Sequence, residues 1–417
     1  MTEDDPDETR RCAVRIALVG TRGVPAAYGG FETCVEEVGR RLVERGHEVV
    51  VYCRTTPGAS APPDTHLGMQ LVHLPAARKR ALETLSHTAL SVGHLVAHRP
   101  DAAFVFNAAN APLLPVIRAA RVPVATHVDG LEWKRTKWSG AGRRYYRAAE
   151  ALAVRWSDAL IADAQGIADY YTQEFGASTD LITYGAPVID PPAGRLAELD
   201  LTERGYHLVV ARFEPENHVA EIVEGYTASS ATQPLVVVGS APYADEYTAL
   251  VHSLGDERVR FLGGVWDQDL LDTLYRHATS YLHGHSVGGT NPSLLRAIGA
   301  GATVLAHDVS FNREVLGTAG RYFLGAQDVP ALVERTEADP EHARRRGVLA
   351  RERAASYDWD DVAAAYEQLA VRLTTASPAR RPRGRRRGHP TAPGPDVAPT
   401  STAPVTPVER PGLRVVA

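Results

Sequence analysis

Lysine is almost missing from this chain. Lys79, Lys134 and Lys137 are the only lysines among 45 basic residues, so 42 are arginine. That skew matches GC-rich codon use and carries no function by itself. Cysteine is as scarce: Cys12, Cys34 and Cys53 are an odd number with no metal-ligand spacing. This excludes a disulfide scaffold and fits a reducing cytoplasm. Long apolar runs are also lacking. The uncharged stretch 102–117 is broken by Asn107, Asn110, Pro112 and Pro115, short of the roughly 20 apolar residues of a membrane helix. The first eight residues carry five acids and no base, so no secretory signal is expected. A net basic charge is absent as well. The formal charge is −5, and residues from 377 onward hold +6 of it, which leaves −11 on the rest. An acidic body argues against nucleic acid as a partner.

What remains is the composition of a globular protein, 44% hydrophobic and 23% charged over 417 residues, long enough for two domains. Residues 1–11 and the Arg- and Pro-rich tail 377–417 lack the apolar content to order themselves and are expected to be disordered. The basic run 380–387 suits anionic lipid headgroups; a solvated low-complexity tail is the alternative.

Between the ends, short β-rich runs alternate with helical patterns. Strands are expected at 15–20, 48–53, 71–74, 102–106, 122–127, 159–162 and 181–184, with helices at 31–45, 80–98, 141–156 and 165–175. A Pro-rich hinge, 185–205, interrupts the pattern. A second series follows, with strands at 207–211, 235–238, 259–262, 280–283 and 303–306. Its helices fall at about 217–229, 243–254, 267–277, 292–300 and 327–337. Alternation of this kind builds βαβ units on parallel sheets. The expectation is an α/β chain of two Rossmann-like, doubly wound domains, 12–184 and 206–358, with a closing helix at 359–376. Ligands of such sheets bind beyond the carboxyl ends of the strands, here in a central cleft.

Four segments at strand ends could carry chemistry. The first, 20–32, runs G-T-R-G-V-P-A-A-Y-G-G-F-E before a helix. Glycines there let backbone approach a ligand, and a helix N-terminus attracts anions. It lacks G-x-G-x-x-G, which demotes NAD or FAD; a structural turn stays open. The second, 126–138, concentrates Asp129, Glu132, Trp133, Lys134 and Trp138. Aromatic, carboxylate and amine together suit a sugar, and a solvated helix start is the alternative. In the third, Arg212 follows a strand and opens a helix, as a phosphate contact would; an ion pair with Glu214 or Glu216 is the bland reading. The fourth, 283–296, places Gly289, Thr290 and Asn291 before Pro292, a candidate phosphate cradle. Its His285 could equally be a core residue. The D-x-D pairs Asp267/Asp269 and Asp358/Asp360 sit at expected helix starts and read as caps rather than metal ligands.

The motifs G-T-R-G-V-P-A-A-Y-G-G-F-E-T, D-G-L-E-W-K-R-T-K-W, A-R-F-E-P-E-N, H-S-V-G-G-T-N-P-S-L-L and F-N-R-E-V-L-G together resemble retaining nucleotide-sugar glycosyltransferases. The similarity is to the GT-B fold and sequence family 4, in a rhamnosyltransferase-like bacterial branch that makes cell-surface polysaccharide. It spans about residues 14–374. By this resemblance His127, Asp129 and Arg212 serve catalysis. Donor binding falls to Gly29, Gly30, Asn217, His285, Gly289, Thr290, Asn291 and Arg296, and acceptor binding to Glu132, Trp133 and Lys134. It implies no bound metal and no cofactor. It implies a nucleotide-sugar donor, with dTDP-rhamnose the candidate, and a saccharide or polyprenyl-linked saccharide acceptor. The expected place is the cytoplasm, with peripheral contact at the inner membrane face.

One departure stands out. Relatives carry Glu where this chain has Arg296, and the other Glu of that pair is missing near Gly288. Arg cannot accept a hydrogen bond from ribose. A catalytically weak nucleotide-sugar-binding protein with an assembly role is therefore the alternative.

Overall fold

The computed structural model describes residues 13–26, 29–55, 63–77, 80–128, 130–135, 138, 140–240 and 245–375. The two termini expected to be disordered, and Asp129, lie outside the described residues.

Two sheets organise the chain. The first holds β1 (Arg15–Val19), β2 (Glu48–Arg54), β3 (Thr65–His66), β4 (Met69–Leu74), β5 (Ala102–Phe106), β6 (Val124–Val128), β7 (Ala159–Ala162) and β8 (Asp180–Leu181). Their order is β3-β4-β2-β1-β5-β6-β7-β8. All neighbours are parallel except the β3–β4 pair. The second sheet holds β9 (His207–Val210), β10 (Leu235–Val238), β11 (Val259–Gly263), β12 (Ser280–His283), β13 (Val304–His307) and β14 (Arg321–Phe323). It is parallel throughout, in the order β11-β10-β9-β12-β13-β14.

Central strands such as β5 (Ala-Ala-Phe-Val-Phe) and β10 (Leu-Val-Val-Val) are apolar on both faces and fully buried, as parallel sheets covered by helices require. The covering helices of the first half are α1 (Gly30–Glu44), α2 (Arg80–His98), α3 (Leu114–Ala119), α4 (Gly140–Trp156) and α5 (Gln165–Phe175). Those of the second are α6 (Val219–Thr227), α7 (Asp245–Ser253), α8 (Gln268–His277), α9 (Pro292–Gly299), α10 (Ser310–Leu316), α11 (Val329–Ala338), α12 (Pro340–Ala354) and α13 (Trp359–Thr375). On α1 the buried set Cys34, Val35, Val38 and Leu42 forms one stripe at helical spacing.

The last helix does not stay with the domain that precedes it. α13 packs on α1 and β5 of the first half. Its buried Tyr366 rests edge-on against Phe104, with ring centroids 5.2 Å apart. Glu367, 5% exposed, accepts from Arg45 at 2.8 Å and lies 3.2 Å from His47 Nε2. Arg41 reaches Asp360 at 2.6 Å, and Arg372 reaches Asp180 at 2.5 Å. Removing buried Glu367 takes away the acceptor that part-exposed Arg45 and buried His47 share, which costs more than the pair contributes. Glu367→Ala should therefore cost about 2–4 kcal/mol in urea unfolding. A loss below about 1 kcal/mol would mean that apolar contacts alone hold α13.

Candidate functional site

A cavity of about 620 Å³ opens between the carboxyl ends of the two sheets. Its walls are the residues that follow the strands. From the first domain come Arg22 after β1, Asn107 after β5, Gly130 after β6 and Asp163 after β7, with Gly29 to Thr33 at the start of α1. From the second come Arg212 after β9, Ser240 after β10, Trp266 after β11 and His285 after β12. The loop from Gly288 to Asn291 leads into α9 and completes the wall.

That loop is shaped by its cap and its glycines. Asn291 Oδ1 accepts from the Ser293 amide at 2.9 Å, and Pro292 opens α9. Both devices start a helix where the sequence says it should start. A Cβ on Gly130 would sit 2.4 Å from the Gly288 backbone, so the two domains meet here main chain to main chain. Thr290 Oγ1 donates to the Asp163 carbonyl at 2.5 Å and ties the same loop to the first domain.

Arg212 is 44% exposed in its side chain and faces the cavity. Its guanidinium lies 3.3 Å from Glu214. Glu214 in turn lies 3.4 Å from Arg135, and Arg135 lies 2.5 Å from Glu132. Charges thus alternate Arg212, Glu214, Arg135, Glu132 from one domain to the other. The ion-pair reading and the cavity-facing reading of Arg212 hold together.

Asn217 organises its neighbours. Its Nδ2 donates to the Arg212 carbonyl at 2.8 Å, and its Oδ1 lies 2.9 Å from His285 Nδ1. The amide orientation makes Oδ1 an acceptor, so His285 carries its proton on Nδ1 and leaves Nε2 as an acceptor. Burial, with His283, Arg135, Arg212 and His218 around it, holds His285 well below its ordinary value. The ring is a neutral hydrogen-bond acceptor on the cavity wall. Asn312, from the F-N-R-E-V-L-G segment, donates to the His285 and His307 carbonyls at 3.0 and 2.9 Å and fixes the loop from behind.

The remaining expected residues divide. Gly29, Gly30, Glu132, Gly289, Thr290, Asn291 and Arg296 all line the cavity. Arg296 is held by Asp272, with Nε 2.7 Å and Nη2 3.4 Å from the two carboxylate oxygens. His127, Trp133 and Lys134 are not among the lining residues. His127 is fully buried, enclosed by the Phe31, Phe106 and Tyr184 rings at 5.1, 5.5 and 5.9 Å. Trp133 lies under the Lys134 ammonium and the Arg147 guanidinium, 5.6 and 5.0 Å from its ring centre. Density of chemical residue types drew attention to 133 and 134, yet a 3₁₀ turn at Glu132–Lys134 sends only Glu132 inward. Sequence reasoning passed over Asp163, Arg135 and Trp266. The usable signal was position: each follows a strand end.

Neither D-x-D pair lines the cavity. Asp267 caps α8 through the Leu270 amide and pairs with Arg195, and Asp358 accepts from the Asp360 amide.

The chain carries two glycosyltransferase domains in succession. Residues 29–185 match a glycosyl transferase 4-like domain, and residues 197–352 match the glycosyl transferases group 1 domain. Together with the paired sheets and their cleft, these matches make the protein a glycosyltransferase of GT-B fold. A glycogen synthase from Mycobacterium tuberculosis is 26% identical over 393 residues, 85% of this chain and 94% of its own length. Sucrose-phosphate synthase from Thermosynechococcus elongatus superposes with a TM-score of 0.76 at 21% identity, over 87% of this chain and 99% of that one. The Anabaena protein HepE, solved with UDP-glucose, gives 0.69 at 15% identity, over 86% and 100%.

Buried histidines make a pH prediction. Burial holds His127 and His283 neutral down to about 3 and His87 to about 4, and it lowers His285 as well. Unfolded, each binds a proton below about 6.5. The unfolded state then carries more protons, so their contribution is full above that value and falls as the pH drops toward 4. Each should add a slope of about 1.4 kcal/mol per pH unit in denaturant melts. A flat profile between pH 6.5 and 4.5 would contradict the burial of these rings.

Proposed function

We propose that this glycosyltransferase moves a sugar, with retention, from a nucleoside diphosphate sugar to a saccharide or polyprenyl-linked saccharide acceptor. The setting is cell-surface polysaccharide synthesis at the cytoplasmic face of the membrane, with peripheral contact through the basic tail, and dTDP-rhamnose is the candidate donor. One observation carries the donor class. Arg212 and the Gly289–Asn291 start of α9 line the same cavity, so a cation and helix amides converge on one place. A departing nucleoside diphosphate develops charge that such a pair stabilises without a metal. The solved complex of HepE with UDP-glucose, on the same fold, supports a nucleotide-sugar donor. No helix among the described residues is long and apolar enough to cross a membrane, which is compatible with peripheral contact.

Removing Arg212 should affect turnover more than stability. Arg212→Ala is expected to lower kcat by about 2–4 kcal/mol in barrier, by analogy with loss of one oxyanion donor. Near-native kcat with any donor that the wild-type protein uses would take Arg212 out of the reaction.

Arg296 favours a second reading, a catalytically weak sugar-nucleotide binder. Turnover of no nucleotide sugar, with nucleotide binding retained, would support it. The residue also yields a test of its own. In Arg296→Glu a carboxylate meets Asp272, which burial already raises above its ordinary value. Affinity for UDP and dTDP should fall alike, by about 1.5–3 kcal/mol for a lost charge-assisted contact. Tighter UDP binding in titration calorimetry would instead assign position 296 to the ribose.

A further inference from the structure

Beside the cavity, at the start of α6, two histidines and a carboxylate come together. His218 ends the loop that carries Arg212 and Asn217, and its backbone is left-handed, with φ at 48°. In the sheet, β12 separates β9 from β13. The His218 ring still reaches His307, the last residue of β13, and the two rings stack with centroids 4.2 Å and planes 20° apart. Gly284, just after β12, leaves room for this, because a Cβ there would lie 3.1 Å from His218 Cβ and 2.1 Å from the Asn217 carbonyl oxygen. Glu221, in the first turn of α6, brings its carboxylate to 2.7 Å from His218 Nδ1. One ligand atom from each of His218, Glu221 and His307 lies within 4.8 Å of the other two.

The surroundings suit metal ligands. His218 Nε2 lies 2.8 Å from Ser286 Oγ, and that hydroxyl lies 3.1 Å from the Glu216 carbonyl oxygen. With Nε2–H donating to Ser286 and Ser286 donating to Glu216, Nδ1 is the free ligand atom, and the ring is held by the outer hydrogen bond that metal-bound histidines make. Nδ1 faces a carboxylate, which only accepts, so without a metal a proton must sit between them. A cation takes that proton's place. His307 Nδ1 is buried without a hydrogen-bond partner, and the Leu324 main chain lies beside the ring. Asp308, next in the chain, is turned to Arg313 instead, 2.7 Å from Nη2. With metal–ligand bonds of about 2.0–2.1 Å, tetrahedral ligands stand about 3.4 Å apart. Glu221 and His218, with side chains 40% and 20% exposed, have the freedom to close that difference.

We propose that His218, Glu221 and His307 bind one divalent transition-metal ion of the zinc class, with solvent as fourth ligand. Two imidazoles and a carboxylate suit such an ion, whereas Mg²⁺ and Ca²⁺ take oxygen ligands. None of the three residues lines the cavity, so the ion does not meet the donor and takes no part in stabilising its diphosphate. Its role is to fasten the chain behind the wall. His218 follows Asn217, Ser286 follows His285, and Asn312 donates to the carbonyls of both His285 and His307. The inference holds whichever sugar nucleotide the cavity takes.

The test is calorimetric titration of the chelator-treated full chain with zinc chloride and with magnesium chloride, paired with thermal melts. Wild type should bind one zinc ion per chain and melt higher with it, and should give no response to magnesium. Glu221→Gln and His307→Gln should each weaken zinc by about ten-fold or more and lose the zinc-dependent rise in Tm. His98→Gln is the control, because His94 and His98 on α2 also stack, at 3.8 Å, and it should leave zinc binding unchanged. No zinc binding by the wild type would overturn the proposal and leave His218–Glu221 a plain ion pair. Zinc affinity that survives in both Glu221→Gln and His307→Gln would overturn it as well, by placing the ion elsewhere. Magnesium binding as tight as zinc would overturn the zinc-class assignment.

Discussion

The cleft depends on two domains meeting at glycines, at points where no further side chain fits between them. Gly130 faces Gly288, and Gly289 faces the Asp163 carboxylate, at separations that no Cβ could share. Where backbone meets backbone, polar groups need partners from across the seam, because a buried unpaired amide or carbonyl is costly. Thr290 supplies one such link to the Asp163 carbonyl, and the Gln165 amide supplies another to Glu314. The wall of the cavity is thus assembled from both domains at once, and neither half presents it alone.

α13 is the second condition. It follows the second domain in sequence and packs on the first in space. Its Tyr366 reaches into the first domain as far as His127, and its Trp359 lines the cavity and fills the space beside Gly185. One helix therefore sets how the connecting segment leaves the first domain and what stands behind the cleft. Its ion pairs, Arg45–Glu367 and Arg41–Asp360, are made with α1 and the turn after it. Through α1, whose first turn lines the cavity, the helix is coupled to the site without contributing a charged group to it.

Much of this was legible in the residues. The strands at 102–106 and 159–162 and the helices at 80–98 and 165–175 have the expected bounds, because apolar runs and glycine or proline punctuation mark them. The strands at 65–66 and 321–323 were not foreseen, and neither were α3 and α12. Two- and three-residue edge strands have too few residues to show a period, and α12 is rich in arginine with only small residues buried. Arg212, Asn217, His285 and the 289–291 loop, which motif and strand end together single out, line the cavity. Trp133 and Lys134 do not line it, because residue type says nothing about which way a turn points. Asp163 escaped notice because one acid among neutral neighbours has no motif, and its meaning comes from Gly289, 126 positions away in the chain and in contact only after folding.

The electrostatics of the cleft follow from these placements. Arg212 faces the cavity, yet it already has a carboxylate within 3.3 Å. A diphosphate arriving there competes with Glu214 for the same guanidinium. Glu214 does not lose its place if displaced, because Arg135 stands 3.4 Å from it on the other side. Arg135 belongs to the first domain, so a donor that draws Arg212 toward itself leaves Glu214 more strongly shared with that domain. Charge that enters the cleft on phosphate is thereby balanced by tighter pairing across the seam. In a medium of low effective dielectric, such exchanges between ion pairs cost less than stripping a bare charge from water. An acidic body whose cavity-lining Arg212, Arg135 and Arg296 are each already paired with a carboxylate can therefore hold an anion without being a general anion-binding surface.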